Sequence, residues 1–260
     1  MNGHDWLGPV RRATFWAPLG VVGALVGLWW LAVAATGSLI VPTPGQVLLG
    51  IGELARQGLL LRHVTSSLWR VGVGFGLAVV LAVPLGVCMG WFHGVFVAVN
   101  PVIQLLRPVS PIAWIPLAIL WFGVGDLSPV FLIFLSSFFP LVVNTTTGVH
   151  TIERQYVRAA RNFGVGGLRL LRLVILPAAL PHILVGMRVS LGVAWLVVVA
   201  AEMIALDSGL GFLIMDSRNA GNRYDLVVAG MVLIGVFGLS LDSVMRRLET
   251  FRAIRWRHGG

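Results

Sequence analysis

The chain is built from long apolar runs separated by short polar stretches. Six runs are long enough to span a bilayer, predicted as 15–36, 66–89, 97–122, 129–149, 183–206 and 226–245. Each run is continuous rather than alternating, so helices are expected and not a barrel. The first run begins after Arg11 and Arg12. Ala32-Val33-Ala34 resembles a leader cleavage site, but the run is longer than a leader's apolar region, so an uncleaved first helix is expected. Between the first two runs, Val47, Leu48, Ile51, Leu54 and Ala55 share one helical face. That pattern predicts an interfacial helix on the outer surface. The third run carries Pro101, Pro108, Pro111 and Pro116 beside Gln104, Arg107 and Ser110. Each internal proline removes a backbone hydrogen bond, so this span is expected to be bent and packed inside a bundle. The alternative is a proline-rich loop leading into a shorter span.

One polar stretch is itself periodic. Ile152, Tyr156, Ala159 and Phe163 recur at helical spacing on one face, and Arg154, Arg158 and Arg161 on another. Thr151 is the expected N-cap, with Glu153 in the first turn suiting the helix dipole. Gly164 is placed to end the helix in a left-handed conformation. A second short helix is expected over Leu168–Leu176, stopped by Pro177. Such a segment can lie in a partner's groove or on anionic headgroups, and the residues alone favour neither.

Composition agrees with an all-α polytopic membrane protein. Of 260 residues, 57% are hydrophobic and 11% charged, against about 25% charged in soluble domains. Mean hydropathy is +0.91. All 19 basic residues are arginine and the formal charge is +9. With both termini inside, twelve arginines fall on the cytoplasmic side and four outside, the bias expected of cytoplasmic loops; nucleic acid is therefore not the expected partner. The single Cys88 excludes a disulfide framework and reads as a small core residue. The histidines show no ligand spacing, so no metal site is expected. Gly72-Val73-Gly74-Phe75-Gly76 reads as a helix-packing surface. No phosphate-cradling P-loop sequence occurs, so any ATP-driven step needs an ATPase on another chain.

Polar residues within the spans are candidates for a substrate path: Ser110, Ser136, Ser137, Asn144, Thr145, Thr147 and Glu202. Glu202 has a second reading, as a structural partner for an arginine or a backbone amide.

Ala159-Ala160, Gly164 and Val174-Ile175-Leu176-Pro177 together resemble the EAA motif of ABC-importer permeases. The stretch LPAALPHILVGMRVSLGVAWLVVVAAEMIALDSGLGFLI, with Pro42-Thr43-Pro44, RPVSPIAWIPLAILWFGVG and FFPLVVNTTTGV, resembles the nitrate/sulfonate/taurine/bicarbonate branch of that family. The motif's Glu is replaced here by Arg158 and its Ile by Val174. The resemblance implies a type I permease fold divided into an N-terminal helix with an outer interfacial helix (1–62), a permease core (63–245) containing a coupling helix (151–164), and a basic tail (246–260). It implies a second permease copy, two cytoplasmic ATPase subunits carrying ATP and Mg, an external binding protein, and a bacterial inner-membrane location. Tyr156, Arg158, Ala159, Ala160, Phe163, Gly164, Leu176 and Pro177 are then the ATPase-coupling residues, and this chain is a non-catalytic permease for a small anion. The competing class, an ATP-independent secondary transporter or channel, finds no charged ion-coupling pair in the spans and no use for the segment before Pro177.

Overall fold

The computed structural model describes residues 7–37, 40–219 and 221–257, with side chains described within 20–249 apart from residue 205. The side chains of Arg11, Arg12, Arg252, Arg255 and Arg257, counted above in the charge bias, lie outside that range.

The described residues form helices and no strands. α1 covers Leu7–Thr36, α2 Pro44–Arg56, α3 Leu59–Trp91, α4 His93–Leu106, α5 Ile115–Phe122 and α6 Leu127–His150. After them come α7 Arg154–Asn162, α8 Gly167–Leu170, α9 Leu176–Ala205, α10 Leu210–Asn219 and α11 Tyr224–Arg257. Four stretches are long and apolar enough to cross a membrane: Leu59–Trp91, Leu127–His150, Gly167–Ile204 and Tyr224–Glu249. α4 and the stretch Pro111–Phe122 make a fifth, broken by an 85° bend. The apolar part of α1 described with side chains, Gly20–Thr36, is shorter than these.

The core is a stack of α3, α6 and α9. In its most apolar stretch α6 is 56% buried and α11 only 17%, which makes α6 the centre and α11 the periphery. Small residues let these backbones meet. A Cβ at Gly86 of α3 would lie 2.6 Å from Cβ of Thr145, and one at Gly148 of α6 would lie 2.6 Å from Cβ of His182 on α9. Close contact without a side chain is the usual way apolar helices gain packing energy in lipid. Of the three glycines in the predicted Gly72–Gly76 packing surface, only Gly74 closely approaches a neighbour, the Val130 carbonyl and Ile133, while Phe75 packs on the core; Gly72 and Gly76 face open space. Cys88 is exposed rather than buried. The buried stripe of α3 runs through Ala78, Ala82, Gly86, Val87 and Met89, and Cys88 points away from it.

α2 starts with a full capping box. Gln46 N donates to Thr43 Oγ1 at 3.4 Å, and Thr43 N donates to Gln46 Oε1 at 2.7 Å. Its inward face is Val47, Gly50 and Leu54, seated on the start of α11. Of the predicted face, Val47 and Leu54 are buried, while Leu48 and Ala55 are exposed on the surface of the chain.

Two differences from the sequence expectation shape the site. The third span is two helices, because Pro108 and Pro111 fall between them, while Pro101 and Pro116 are tolerated within α4 and at the start of α5. Pro177 does not stop a helix either. Leu171–Ile175 forms a π turn, and the chain runs as one helical rod from α8 through Pro177 and Pro181 to the end of α9. A π turn shifts the hydrogen-bond pairing by one residue, which accommodates the carbonyl that Pro177 cannot serve.

Candidate functional site

The periodic polar stretch folds as α7, a nine-residue helix between α6 and α8. Its N-cap position is Glu153, with extended backbone, and the Glu153 carboxylate takes a hydrogen bond from Gln155 Nε2. Thr151, the expected cap, instead ends α6: its hydroxyl donates to the Gly148 carbonyl at 3.1 Å and lies 3.3 Å from Nε2 of His182. Gly164 takes φ +76, the left-handed turn its residue type suits.

The two faces of α7 are arranged differently from the prediction. Ile152, Val157, Ala160 and Val165 pack on a cluster made by Val149 of α6, Leu170 of α8, and Ile175, Ala179 and Ile183 near the start of α9. Ala159 is exposed, Tyr156 is 57% exposed and Phe163 87%. Arg154, Arg158 and Arg161 are exposed beside them. Leu176 and Pro177 are half-buried in the helix that backs α7. The chain therefore holds α7 from one side by apolar packing and leaves an aromatic and basic surface on the other.

A second polar cluster lies where α3, α6 and α9 meet the loop into α10. Arg70 is 2% exposed. Its guanidinium donates to Glu202 Oε1 at 2.8 Å, Asp126 Oδ1 at 2.8 Å, the Ser208 carbonyl at 2.7 Å and the Ser208 hydroxyl at 2.7 Å. Glu202 is fully buried and accepts from the Ser67 hydroxyl at 2.8 Å and the Gly211 amide at 3.0 Å. The Leu210 amide donates to Ser67 Oγ at 3.0 Å, and the Gly209 amide to His63 Nδ1 at 3.1 Å. Gly209 and Gly211 are required: a Cβ at either would strike Glu202. A buried ion pair is tolerated when its remaining hydrogen-bonding positions are filled, as they are here. This knot ties the loop 206–209 across the end of α3. Of the two readings of Glu202, the structure shows the arginine and backbone-amide partnership. Arg70, Asp126 and Ser208 were not singled out by the sequence; an arginine within an apolar run was the signal available.

The other path candidates are scattered. Ser136 donates to the Ile133 carbonyl at 2.8 Å, and Asn144 Nδ2 to the Pro140 carbonyl at 2.8 Å. Ser137 and Thr145 are buried with no hydrogen-bond partner for their hydroxyls. Asn144 packs against Gly186 and Thr145 against Gly86, so both fill helix contacts. Ser110 is exposed at the bend after α4. Thr147 is exposed and lines a cavity of about 230 Å³ between α3, α4 and α6.

Comparison with known proteins agrees with this architecture. Residues 79–253 match the family model described as the binding-protein-dependent transport system inner membrane component. The taurine transport system permease protein of Escherichia coli is 36% identical over 263 residues, covering 98% of this chain and 94% of that one. The nitrate import permease protein of Synechocystis is 31% identical over 243 residues, covering 90% and 87%. In fold, the chain resembles the MetNI methionine ABC transporter in an inward-facing conformation, with a TM-score of 0.66 at 17% identity over 75% of this chain and 96% of that one. The chain belongs to the inner membrane components of binding-protein-dependent transport systems, the permease subunits of ABC importers.

Proposed function

We propose that this chain carries a small oxyanion, of the sulfonate or nitrate type, across the inner membrane as one of two identical permease subunits. Both termini face the cytoplasm in this reading, and α7 inserts into a cleft of an ATPase subunit that holds ATP and Mg. The permease itself performs no chemistry. It receives cargo from an external binding protein and alternates between outward- and inward-facing states as the ATPase pair closes and opens.

The observation that carries this reading is the two-sided seating of α7. Ala160 and Val157 fix it to the α6–α9 core, while Phe163 and Tyr156 are exposed. An exposed aromatic on a rigidly backed helix is the anchor a partner groove takes. Movement of the partner is then passed into α6 and α9 together. The substrate class rests on the taurine and nitrate permease relatives.

The test is reconstitution. The permease, its ATPase and its binding protein are placed in liposomes, and ATP-dependent uptake of labelled taurine and nitrate is measured. Uptake of either supports the reading, and uptake of neither removes the oxyanion assignment. Replacing Ala160 with Trp is expected to leave membrane insertion intact while uncoupling ATP hydrolysis from uptake, because the larger ring lifts α7 from its seat. Normal coupled uptake by Ala160→Trp would remove the docking role from α7.

A further inference from the structure

The bend of 85° between α4 and the stretch Pro111–Phe122 interrupts a span. α4 has 14 residues, so it rises about 21 Å, too short on its own to cross a hydrocarbon core of about 30 Å. The residues that follow, Arg107, Pro108, Val109 and Ser110, are all exposed on the surface of the chain. Irregular backbone at membrane depth is tolerated where it lines a water-filled cavity or is covered by protein, and not where it faces lipid.

Arg107 has no acidic partner among the described residues, in contrast to Arg70, Arg188 and Arg223. It stands three residues beyond Gln104 and seven beyond Asn100, so the three share one face of α4. Gln104 and Asn100 line the 230 Å³ cavity, with Thr147 and His150 of α6 on its other wall and Phe96 stacked edge-on to His150 at 5.1 Å. No carboxylate lines this cavity. The cavity thus offers two amides and the Thr147 hydroxyl with no competing anion, and Arg107, outside its lining, follows one turn beyond Gln104 on the same helix face. Arg107 also sits at the C-terminal end of α4, where the helix dipole offsets part of the cost of the uncompensated charge.

We propose that Arg107, Gln104 and Asn100 form the intramembrane binding site for the transported oxyanion. Arg107 takes the anion at the bend, and the amides guide it along the cleft between α4 and α6. The guanidinium presents paired N–H donors to two oxygens of a planar or tetrahedral anion, and the side-chain amides replace water as it descends. The proposal rests on the oxyanion reading above and assigns it a place in this chain.

The experiment uses the complete transporter in liposomes, with taurine and nitrate as probes. Uptake and binding-protein-stimulated ATPase activity are measured for the wild type, Arg107→Gln, Arg107→Lys and Gln104→Leu. Arg107→Gln is expected to lower uptake roughly ten- to a hundredfold, the size of a lost charged hydrogen bond, with ATPase activity retained. Arg107→Lys restores most uptake, and Gln104→Leu lowers it by a smaller factor. Wild-type uptake by Arg107→Gln would overturn the proposal. So would a parallel fall of uptake and ATPase activity in all three variants, since that marks a part needed for folding or coupling. A wild-type transporter that moves neither probe overturns the oxyanion reading itself, whereas wild-type uptake unaffected by Arg107→Gln overturns only this site.

Discussion

The knot around Arg70 and the outer face of α7 are both arginine-bearing islands in an apolar chain, yet they are built in opposite ways. Arg70 is buried and has every donor group engaged by Glu202, Asp126 and Ser208. Arg154, Arg158 and Arg161 are exposed beside Tyr156 and Phe163. In the first case the chain supplies the partners from its own distant segments. In the second it supplies only the support, through Ile152, Val157 and Ala160, and leaves the other face open. Burial with complete pairing marks a structural fastening. Exposure on a firmly seated helix leaves a surface open to contact.

The sharpest way to break the comparison is to remove one side of the fastening. Glu202→Ala leaves Arg70 buried beside a single carboxylate that is itself 57% exposed. Loss of one partner from a buried pair costs about 3–5 kcal/mol, so a large fall in thermal stability in detergent is expected, with or without the partner ATPase. An unchanged unfolding temperature would mean the knot is ornamental. On the other side, Phe163→Ala is expected to weaken ATPase binding by about 2 kcal/mol, the scale of an interface anchor, while the isolated permease unfolds as before. A fall in permease stability would place Phe163 in the fold instead of that open surface. Asp126→Asn tests the exposed edge of the knot: screening by solvent should limit its cost to about 1 kcal/mol, measurable as a small shift in the same melting experiment.

The smallest effect belongs to the ion pair between α2 and α11. Arg223 donates to Glu53 at 2.7 Å, and this contact holds the Glu53 carboxyl below its usual 4.5. A carboxylate with a lowered folded value stabilises the fold above its unfolded value, and that contribution is lost as pH falls through the lowered one. Glu53→Gln should therefore cost a little stability at neutral pH, a cost that disappears as the wild type loses the same contribution on acidification below about pH 4.5. A loss in the variant that persists unchanged at acid pH would show that Glu53 does more than pair with Arg223.

How much of this was legible in the sequence follows from the range of each interaction. The spans over α3, α6, α9 and α11 and the helix α7 rest on local periodicity, and all are present with shifted ends. Which residues of α7 turn inward was not legible, because a nine-residue helix with alanines on both sides has no local feature that decides it. What α6 and α9 bring to it decides. The partners of Arg70 lie 56, 132 and 138 residues away, so no spacing could announce them. The proline-rich third span was expected to be bent, yet four prolines in a row of apolar residues did not show which two would fall between helices. The π turn has no residue signature at all, since the residues that form it are ordinary leucine, valine, isoleucine and arginine.

That π turn sets a rotational register. One residue more than an α-helix needs is accommodated in Leu171–Ile175, so everything beyond it is rotated by about 100° relative to an uninterrupted rod. Arg188, which meets Asp242 of α11 at 2.6 Å, and Glu202, which meets Arg70 at 2.8 Å, both lie downstream of it. Deleting a single residue from this turn would keep the composition of the span nearly intact and swing both carriers of these pairs off their targets. The phase between α7 and the Arg70 knot is thus held by one surplus residue, and a span of the same length and hydropathy without it would be a different machine part.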